Sequence, residues 1–281
     1  MGRIEHSIAL AKESWRVLRD DKKLTLLPLL SLVATLVVGA TFVVPMFLVA
    51  GSGTGGYSAA KPLVWILGFV GYVVLAFVVI FFNAALVFAA DRRLNGRDVT
   101  IGEALGEARS RMHVLLPWAV VSATVSIVLR AVENRGGLFG RIVGSLAGVA
   151  WSVVTFLVLP VLVFEGVGPI EAVKRSGALF KRTWGENLVA NAGIGIVAML
   201  AILAGAIPLG LVASLGGPAT VVGIAGLVAW VLTVSLVATT LTGILQTALY
   251  RYATEGKAVG FDDGELRAAF RTRRNGGGWL N

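Results

Sequence analysis

Six long stretches of the chain are almost wholly apolar, and shorter segments that carry most of the charge separate them. A helix that crosses the hydrocarbon of a bilayer needs about 20 mostly apolar residues. The pattern therefore predicts an all-α membrane protein with six transmembrane helices. The predicted spans are Leu24–Ala50, Pro62–Ala90, Val114–Leu129, Ile142–Phe164, Leu188–Ala213 and Thr220–Tyr250.

Composition agrees with this pattern and excludes several classes of protein. Of the 281 residues, 56% are hydrophobic and 15% are charged, whereas a soluble domain carries about 25% charged residues. Soluble enzymes and nucleic-acid-binding domains are excluded on this ground. The chain has no cysteine and only two histidines, His6 and His113, far apart in sequence. We therefore expect no disulfide, no metal site and no cofactor.

The basic residues predict an orientation in the membrane. Of the 25 lysines and arginines, 21 lie in four segments that a six-span topology places on one side: Met1–Lys23, Asp91–His113, Glu165–Asn187 and Arg251–Asn281. Basic residues favour the cytoplasmic side. We therefore expect a multi-pass protein of a bacterial-type cell membrane with both termini in the cytoplasm. The first span is retained, because it is too long for the apolar core of a signal peptide.

The segments on the predicted cytoplasmic side share an amphipathic pattern. Apolar residues recur at helical spacing in residues 3–22, 101–115 and 170–184, a spacing typical of helices that lie in the headgroup plane. Each segment precedes two spans, which suggests three repeats of interfacial helix, span and span. The alternative is that any cytoplasmic segment of this length becomes amphipathic. Residues 1–270 form one membrane domain in this interpretation, and residues 271–281 form a basic, disordered tail.

Three amides are candidates for a site inside the membrane. Asn83, Asn191 and Gln246 fall within predicted spans, and an amide without a partner is costly in lipid. Hydrogen bonding between helices is one interpretation, and the lining of a transport path is the other. No acidic or basic residue lies centrally in a predicted span, which argues against an ion-coupled carrier.

Glu165 is the acidic residue best placed for chemistry, because it falls at the membrane edge of the fourth span. It could pair with Lys174, Arg175, Arg92 or Arg93, or it could serve as a general base. The sequence places no second carboxylate beside it, so acid–base catalysis by a carboxylate pair has no support. The basic pairs that flank the spans are candidate contacts for anionic lipid. They are Arg92 and Arg93, Lys174 and Arg175, and Lys181 and Arg182.

Glycines and prolines suggest how the spans pack. Gly140, Gly144 and Gly148 recur every four residues on one face of the fourth span, where a neighbouring backbone could approach closely. Packing within the subunit and a homodimer seam are the two interpretations. Pro45, Pro160 and Pro208 lie toward the ends of spans and predict kinks or helix ends.

A resemblance to a known family rests on five landmarks that occur in order. They are ESWRVLRDDKKLTLLPLLS, FFNAALVFAADRRLNG, PWAVVSATVSIVLRAVENRGG, LPVLVFEGVGPIEAVKRSGALFKRTWGE and ALYRYATEG. From about Ile4 to Phe270 the chain resembles an uncharacterised family of six-span membrane proteins, described as a domain of unknown function. More distantly, it is similar to the membrane domain attached to some glycerophosphodiester phosphodiesterases. The resemblance implies fold and location and no catalytic activity.

Three hypotheses for function follow. The first is a non-enzymatic protein that organises lipid, anionic phospholipid in particular, or a protein partner such as a second copy. The second is a transporter or channel for a small neutral or amphiphilic molecule, with the three amides along its path. The third is a membrane enzyme that acts on lipid, with Glu165 as its acid. No sequence motif of phosphate-binding, hydrolase or metalloprotease sites occurs, so the first is preferred.

The predicted orientation can be tested by labelling single cysteines, because the chain has none of its own. We expect Ser52→Cys to react with a membrane-impermeant maleimide added outside intact cells. Asn95→Cys, from a predicted cytoplasmic segment, should react only after the cells are opened. Labelling of Ser52→Cys from the inside alone would show that the topology is inverted.

Overall fold

The computed structural model describes residues 22–51, 54–135 and 137–255, and every regular element in these residues is helical. A short 3-10 helix, Lys22–Thr25, precedes eight α-helices. These are α1 (Leu26–Gly51), α2 (Thr54–Leu94), α3 (Ile101–Ser110), α4 (Met112–Arg135), α5 (Gly137–Thr155), α6 (Val158–Glu165), α7 (Pro169–Ser214) and α8 (Pro218–Glu255).

The predicted six-span architecture is confirmed. Six segments of the described chain are long and apolar enough to cross a membrane: Leu26–Pro45, Val64–Leu94, Met112–Asn134, Gly140–Glu165, Ile194–Ser214 and Pro218–Glu255. Five belong to single helices, and the fourth is built from α5 and α6 together. Each overlaps one predicted span.

The amphipathic segments differ in how they join the spans. The segment after the second span forms a separate helix, α3, whereas residues 170–184 are the start of α7, which continues into the fifth span. At about 1.5 Å per residue, the 46 residues of α7 extend about 69 Å, more than twice the thickness of the hydrocarbon. The predicted helix 3–22 and the tail 271–281 lie outside the described residues.

Local sequence explains the bounds of α3. Thr100 is its N-cap: the Thr100 hydroxyl accepts from the Glu103 N–H at 3.2 Å, and the Glu103 carboxylate accepts from the Thr100 N–H at 2.8 Å. This reciprocal capping box satisfies two N–H groups that have no partner within the helix. At the other end Arg111 leaves helical geometry, and α4 starts at the next residue.

The chain divides into two compact units, which we call the N-terminal unit and the C-terminal unit. The N-terminal unit comprises the described parts of Leu26–Ala89 and Thr100–Phe180. The C-terminal unit comprises the described parts of Met1–Thr25, Ala90–Val99 and Lys181–Asn281. Both α2 and α7 contribute residues to both units.

Glycines permit close helix packing in the N-terminal unit. A Cβ atom at Gly71 would lie 3.0 Å from the ring of Phe42, and one at Gly140 would lie 2.8 Å from the carbonyl oxygen of Val132. A Cβ at Gly144 would collide with Glu133. Gly140 and Gly144 therefore face α4 of the same chain, while a Cβ at Gly148 would meet nothing within 4 Å.

Small residues also allow α7 and α8, which form a hairpin in the C-terminal unit, to pack closely. A Cβ at Gly223 would lie 2.6 Å from the Cα of Ala213. Farther along, the indole N–H of Trp230 donates to the carbonyl of Ala201 at 2.9 Å. The same ring covers Gly205, where any side chain would overlap it. Small residues thus set the separation of these two helices.

The outer surface of the spans is strongly apolar. On the fifth span Ile196, Val197, Leu200, Leu203, Ile207 and Leu211 are all exposed. Such a surface is unfavourable in water and normal against lipid acyl chains. Buried side chains are concentrated in Ala84–Ala90, Leu157–Val163 and Ile244–Tyr250, near the ends of the second, fourth and sixth spans.

The prolines have different effects. Pro45 and Pro208 lie inside α1 and α7, which continue past them. Pro160 lies just after the break between α5 and α6, at Phe156 and Leu157. A proline has no N–H and its ring collides with the carbonyl four residues earlier. That residue is Phe156, so Pro160 accounts for the position of the break.

Gly223 and Gly210 form a matched pair for testing the hairpin. We expect Gly223→Ala to destabilise the protein by about 1–3 kcal/mol through overpacking and to lower its melting temperature in mild detergent. A Cβ at Gly210, also on this hairpin, would meet nothing within 4 Å. Gly210→Ala should be neutral or stabilising by up to about 1 kcal/mol. Equal melting temperatures for the two variants would contradict the close approach at Gly223.

Candidate functional site

The two intramembrane amides whose side chains the structure describes fall in different units. Asn83 on α2 is half-buried in the N-terminal unit, and Gln246 on α8 is half-buried in the C-terminal unit. Asn191 lies on α7, and its side chain is outside the described part of the structure. Each unit therefore holds one described candidate, and the transport path of the second hypothesis stays a prediction.

Glu165 is part of a charged cluster in the N-terminal unit. It is the last residue of α6, and its carboxylate pairs with the guanidinium of Arg175 on α7. The Arg175 Nε also donates to Glu171 at 2.9 Å, one helical turn earlier. Arg175 thus joins an acid on α6 to an acid on its own helix. Arg175 is among the partners that the sequence predicted for Glu165, and the ion pair between them is present in the described residues.

Hydrogen bonding fixes the charges in this cluster. The bond from Arg175 holds the pKa of the Glu171 carboxyl below its ordinary value, and the bonds to Glu171 and Glu165 raise the pKa of the Arg175 guanidinium. Both groups are therefore charged at neutral pH. The Glu165 carboxylate, bound to a cation, serves as an ion-pair partner in this arrangement.

Arg111 approaches the same end of α6 from the junction of α3 and α4. Its Nη1 would lie 2.5 Å from a Cβ at Gly166, the residue that caps α6 with a φ of +65°. Glycine suits this position for two reasons. It adopts positive φ readily, and it leaves room for the guanidinium. The Arg111 Nε lies 3.8 Å from the Glu107 carboxylate. This nitrogen is buried, and it forms no hydrogen bond with another described residue.

A second charged contact lies in the C-terminal unit. Arg251, near the end of α8, donates to both carboxylate oxygens of Asp91, near the end of α2, at 2.6 and 2.9 Å. The Asp91 side chain is 11% exposed. A bidentate pair of this kind is among the stronger polar contacts in proteins. It joins residues 160 positions apart.

Asn95 completes the environment of Asp91. Its side-chain amide donates to the Asp91 carbonyl at 2.7 Å, at the point where α2 ends. Gly96 follows with a φ of +70°, and its N–H donates to the carbonyl of Arg93 at 2.9 Å. The end of α2 is thus closed by a left-handed glycine turn, which holds Asp91 in place.

The basic candidates from the sequence have separate environments. Arg92 is half-buried, Arg93 pairs with Asp98, and Lys174 is exposed. Arg175 is engaged by Glu165 and Glu171, and Lys181 is exposed. The side chain of Arg182 lies outside the described residues.

Sequence reasoning missed Asp91, Arg251 and Ser176. Asp91 and Arg251 directly follow the second and sixth predicted spans, and the topology places both on the same side of the membrane. Their opposite charges were therefore a usable signal that they pair. Ser176 accepts a hydrogen bond from the Leu157 N–H at 3.0 Å. Pro160 indicated the break that leaves this N–H without a helical partner, but no pattern in the sequence indicated which side chain would accept from it.

The chemistry available at these ends is binding by charge. Within the described residues no group of three or more His, Asp or Glu side chains could hold a metal ion. The acids near the clusters are engaged in ion pairs or a helix cap. Four exposed cations at these ends form no ion pair with another described residue: Arg97, Arg109, Lys174 and Lys181.

Comparison with known proteins gives one match. A family described as a family of unknown function, DUF6159, matches residues 62–261, which include five of the six spans. No curated protein and no solved structure matches the chain. Nothing in these findings links the chain to the membrane domains attached to glycerophosphodiester phosphodiesterases.

The pair of Asp91 and Arg251 predicts a large effect of substitution. Asp91→Asn removes the bidentate contact and leaves Glu255, which also pairs with Arg251, as its acidic partner, so we expect a loss of about 1–3 kcal/mol in stability. Asp98→Asn is the control, because Asp98 is 94% exposed and such pairs contribute less than about 1 kcal/mol. Melting temperatures in detergent measure both variants. A similar melting temperature for Asp91→Asn and the unsubstituted protein would show that the pair does not hold these helix ends.

Proposed function

The chain belongs to the DUF6159 family of unknown function, and we propose that it binds and organises anionic phospholipid without catalysing a reaction. In this proposal the charged helix ends face the cytoplasm of a bacterial-type cell, as the distribution of basic residues predicts. The distant likeness to phosphodiesterase-linked membrane domains stays a prediction, and the proposal does not depend on it.

The supporting observation is that two cations at the membrane edge of the N-terminal unit are exposed and have no ion-pair partner among the described residues. The acids of this edge are occupied: the Glu103 carboxylate caps α3, Glu107 pairs with Arg111, and Glu165 and Glu171 pair with Arg175. Arg109 and Lys174 are exposed and form no ion pair with another described residue. The four acids and the four Lys and Arg residues of this edge balance in formal charge. The proposal therefore depends on the surface that carries the two exposed cations that no acid engages.

The position of this surface suits a lipid headgroup. Arg109 lies three residues before the third span, and Lys174 lies nine residues after the fourth. Headgroups are found at this level of a bilayer, next to the ends of the hydrocarbon. A cation near an anionic leaflet contributes about 1 kcal/mol to attraction. The exposed apolar side chains of the spans then contact the acyl chains of the same lipids.

Native mass spectrometry of the protein in mild detergent tests the proposal. We expect phosphatidylglycerol to remain bound in preference to phosphatidylcholine. The double variant Arg109→Gln/Lys174→Gln should bind phosphatidylglycerol about 30-fold more weakly, because about 2 kcal/mol is lost. Raised salt should weaken the preference of the unsubstituted protein, since these cations are exposed.

Arg130→Gln is the matched control. Arg130 is an exposed arginine near the other end of α4, so its loss should leave phosphatidylglycerol binding unchanged. An equal loss of phosphatidylglycerol binding in Arg130→Gln and in the double variant would show that binding depends on net charge and not on these two cations, which would contradict the proposal. Equal retention of phosphatidylglycerol and phosphatidylcholine by the unsubstituted protein would also contradict it. Flux of a neutral solute into proteoliposomes, abolished by Asn83→Ala, would favour a transporter instead.

A further inference from the structure

Arg111 lies at the turn between α3 and α4, and most of its hydrogen-bonding capacity is unused. Its Nε is buried and forms no hydrogen bond with another described residue. The Glu107 carboxylate, 3.8 Å from Nε, makes an ion pair that is too long for a hydrogen bond. Nη1 and Nη2 also donate to no described residue. A guanidinium has five N–H groups to donate, so Arg111 is a cation whose donors are available.

Other arginines at the ends of the spans are engaged by carboxylates. Arg175 donates to one acid on α6 and one on α7, and Arg251 donates to one acid on α2 and one on α8. Arg111 differs from them, because the Nε that the protein encloses has no hydrogen bond among the described residues. Native proteins rarely leave a buried donor unpaired, and a bound ion or water is a common explanation. An acceptor from outside the chain would supply this guanidinium with partners that the described residues do not.

The local backbone fixes the position of the guanidinium. Its Nη1 lies against Gly166, where a Cβ atom would be 2.5 Å away. The Arg111 N–H donates to the Ala108 carbonyl at 3.2 Å, which holds the turn from which the side chain extends. The side chain is still 30% exposed. The Nη nitrogens are therefore positioned before any ligand binds, and groups that are ordered in advance lose less conformational entropy on binding.

The surroundings of Arg111 match the two parts of a phospholipid. Arg111 directly precedes the third span, Met112–Asn134, so it lies where headgroups meet the hydrocarbon. Met112, Leu116 and Val120 recur every four residues along α4 and are exposed. They form an apolar stripe that begins next to the cation and runs along the span. A phosphate at Arg111 would thus have its acyl chains beside this stripe.

We propose that Arg111 binds the phosphodiester of a phospholipid through its Nη nitrogens, while Arg109 and Lys174 provide the preference for an anionic headgroup. This inference rests on the proposed function, because it requires a phospholipid at this surface. It adds a division between recognition of the phosphate and recognition of net charge.

The chemistry of the two contributions differs. A planar guanidinium forms two parallel hydrogen bonds with phosphate oxygens, and these bonds depend on the phosphate and not on the rest of the headgroup. Phosphatidylglycerol and phosphatidylcholine both contain a phosphodiester, but only phosphatidylglycerol carries a net negative charge. Loss of the Arg111 contact should therefore weaken the binding of both lipids equally. Glu107 opposes binding, since its carboxylate repels the phosphate.

Native mass spectrometry of the full chain in mild detergent can measure this division. The probes are phosphatidylglycerol, phosphatidylcholine and diacylglycerol, which has no phosphate. Arg111→Lys keeps the charge but replaces the planar guanidinium with an ammonium. We expect this variant to bind both phospholipids about 10-fold more weakly, with an unchanged ratio between them and unchanged retention of diacylglycerol. Arg130→Lys, near the other end of α4, should retain all three lipids as the unsubstituted protein does.

Glu107→Gln should change binding in the opposite direction. Without the carboxylate beside Nε, phosphatidylglycerol should bind about 3-fold more tightly, and a variant that merely folds poorly would not gain affinity. Glu133→Gln is the matched control, because Glu133 carries the same charge and lies near the other end of α4. Equal gains in the two variants would show that the gain depends on net charge, which would contradict the phosphate site.

The outcomes separate this inference from the proposed function. A preference of the unsubstituted protein for phosphatidylglycerol, with both phospholipids retained normally by Arg111→Lys, would overturn the inference and leave the proposed function intact. The same holds if Arg111→Lys then has a lower melting temperature, because Arg111 would have a structural role only. Equal retention of the two phospholipids, with both weakened in Arg111→Lys, would overturn the anionic preference and support the phosphate site. Absence of bound phospholipid would overturn both.

Inorganic phosphate distinguishes a lipid from a free anion as the source of the phosphate. We expect phosphatidylglycerol to remain bound when an equal concentration of inorganic phosphate is added, since the apolar stripe also contacts its acyl chains. Displacement of the lipid by inorganic phosphate, together with loss of phosphate binding in Arg111→Lys, would identify a free anion as the ligand and overturn the inference.

Discussion

A backbone N–H group inside hydrocarbon has no water to bond with, so it must find an acceptor in the protein. Continuous helices meet this requirement for most of the chain. The requirement is hardest to meet at Phe156 and Leu157, where the fourth span breaks ahead of Pro160. The hydroxyl of Ser176 accepts there, and its position on α7 ties this helix to the fourth span. A side chain from the part of α7 that precedes the fifth span thus supplies the acceptor that the backbone of the fourth span lacks.

Charged side chains at the ends of the spans also need partners within the protein. Carboxylates that lie close to the hydrocarbon are matched with guanidinium groups, as Asp91 is with Arg251 and Glu165 is with Arg175. Such pairs reduce the cost of holding ions near a low-dielectric region. The same matching leaves other cations, among them Lys174, without an acidic partner among the described residues. In the proposed function these cations are the contacts for anionic lipid.

The sequence was a good guide to the spans and a poor one to their contacts. Apolar length fixes the existence of a membrane helix whatever its neighbours are, so all six were predicted. The start of α7 was predicted as an interfacial helix, and the structure shows that it is the first part of a longer helix, in which Ala172, Ser176 and Phe180 are buried. The charged segment and the fifth span form one helix because no strong helix breaker separates them.

The candidate sites show where sequence reasoning ends. Glu165 was identified because a lone carboxylate at a membrane boundary is conspicuous in the sequence. The choice of Arg175 over Lys174 depends on which side of α7 faces α6, and that is a property of packing. Gly140 and Gly144 were found from their spacing, whereas their neighbour, α4, is known only from the structure. Patterns within one helix could be predicted, whereas for pairings between helices the sequence offered at most a set of candidate partners.

The separation of Asp91 and Arg251 along the chain has a consequence for biosynthesis. Arg251 is made 160 residues after Asp91, which at ordinary translation rates is a delay of roughly 8–32 s. Throughout this interval the nascent chain carries an acid at the membrane edge without its eventual counter-ion. Insertion of the last span ends that interval. A chain that stops before Arg251 keeps the unmatched acid, a feature by which membrane quality control could distinguish an unfinished protein from a complete one.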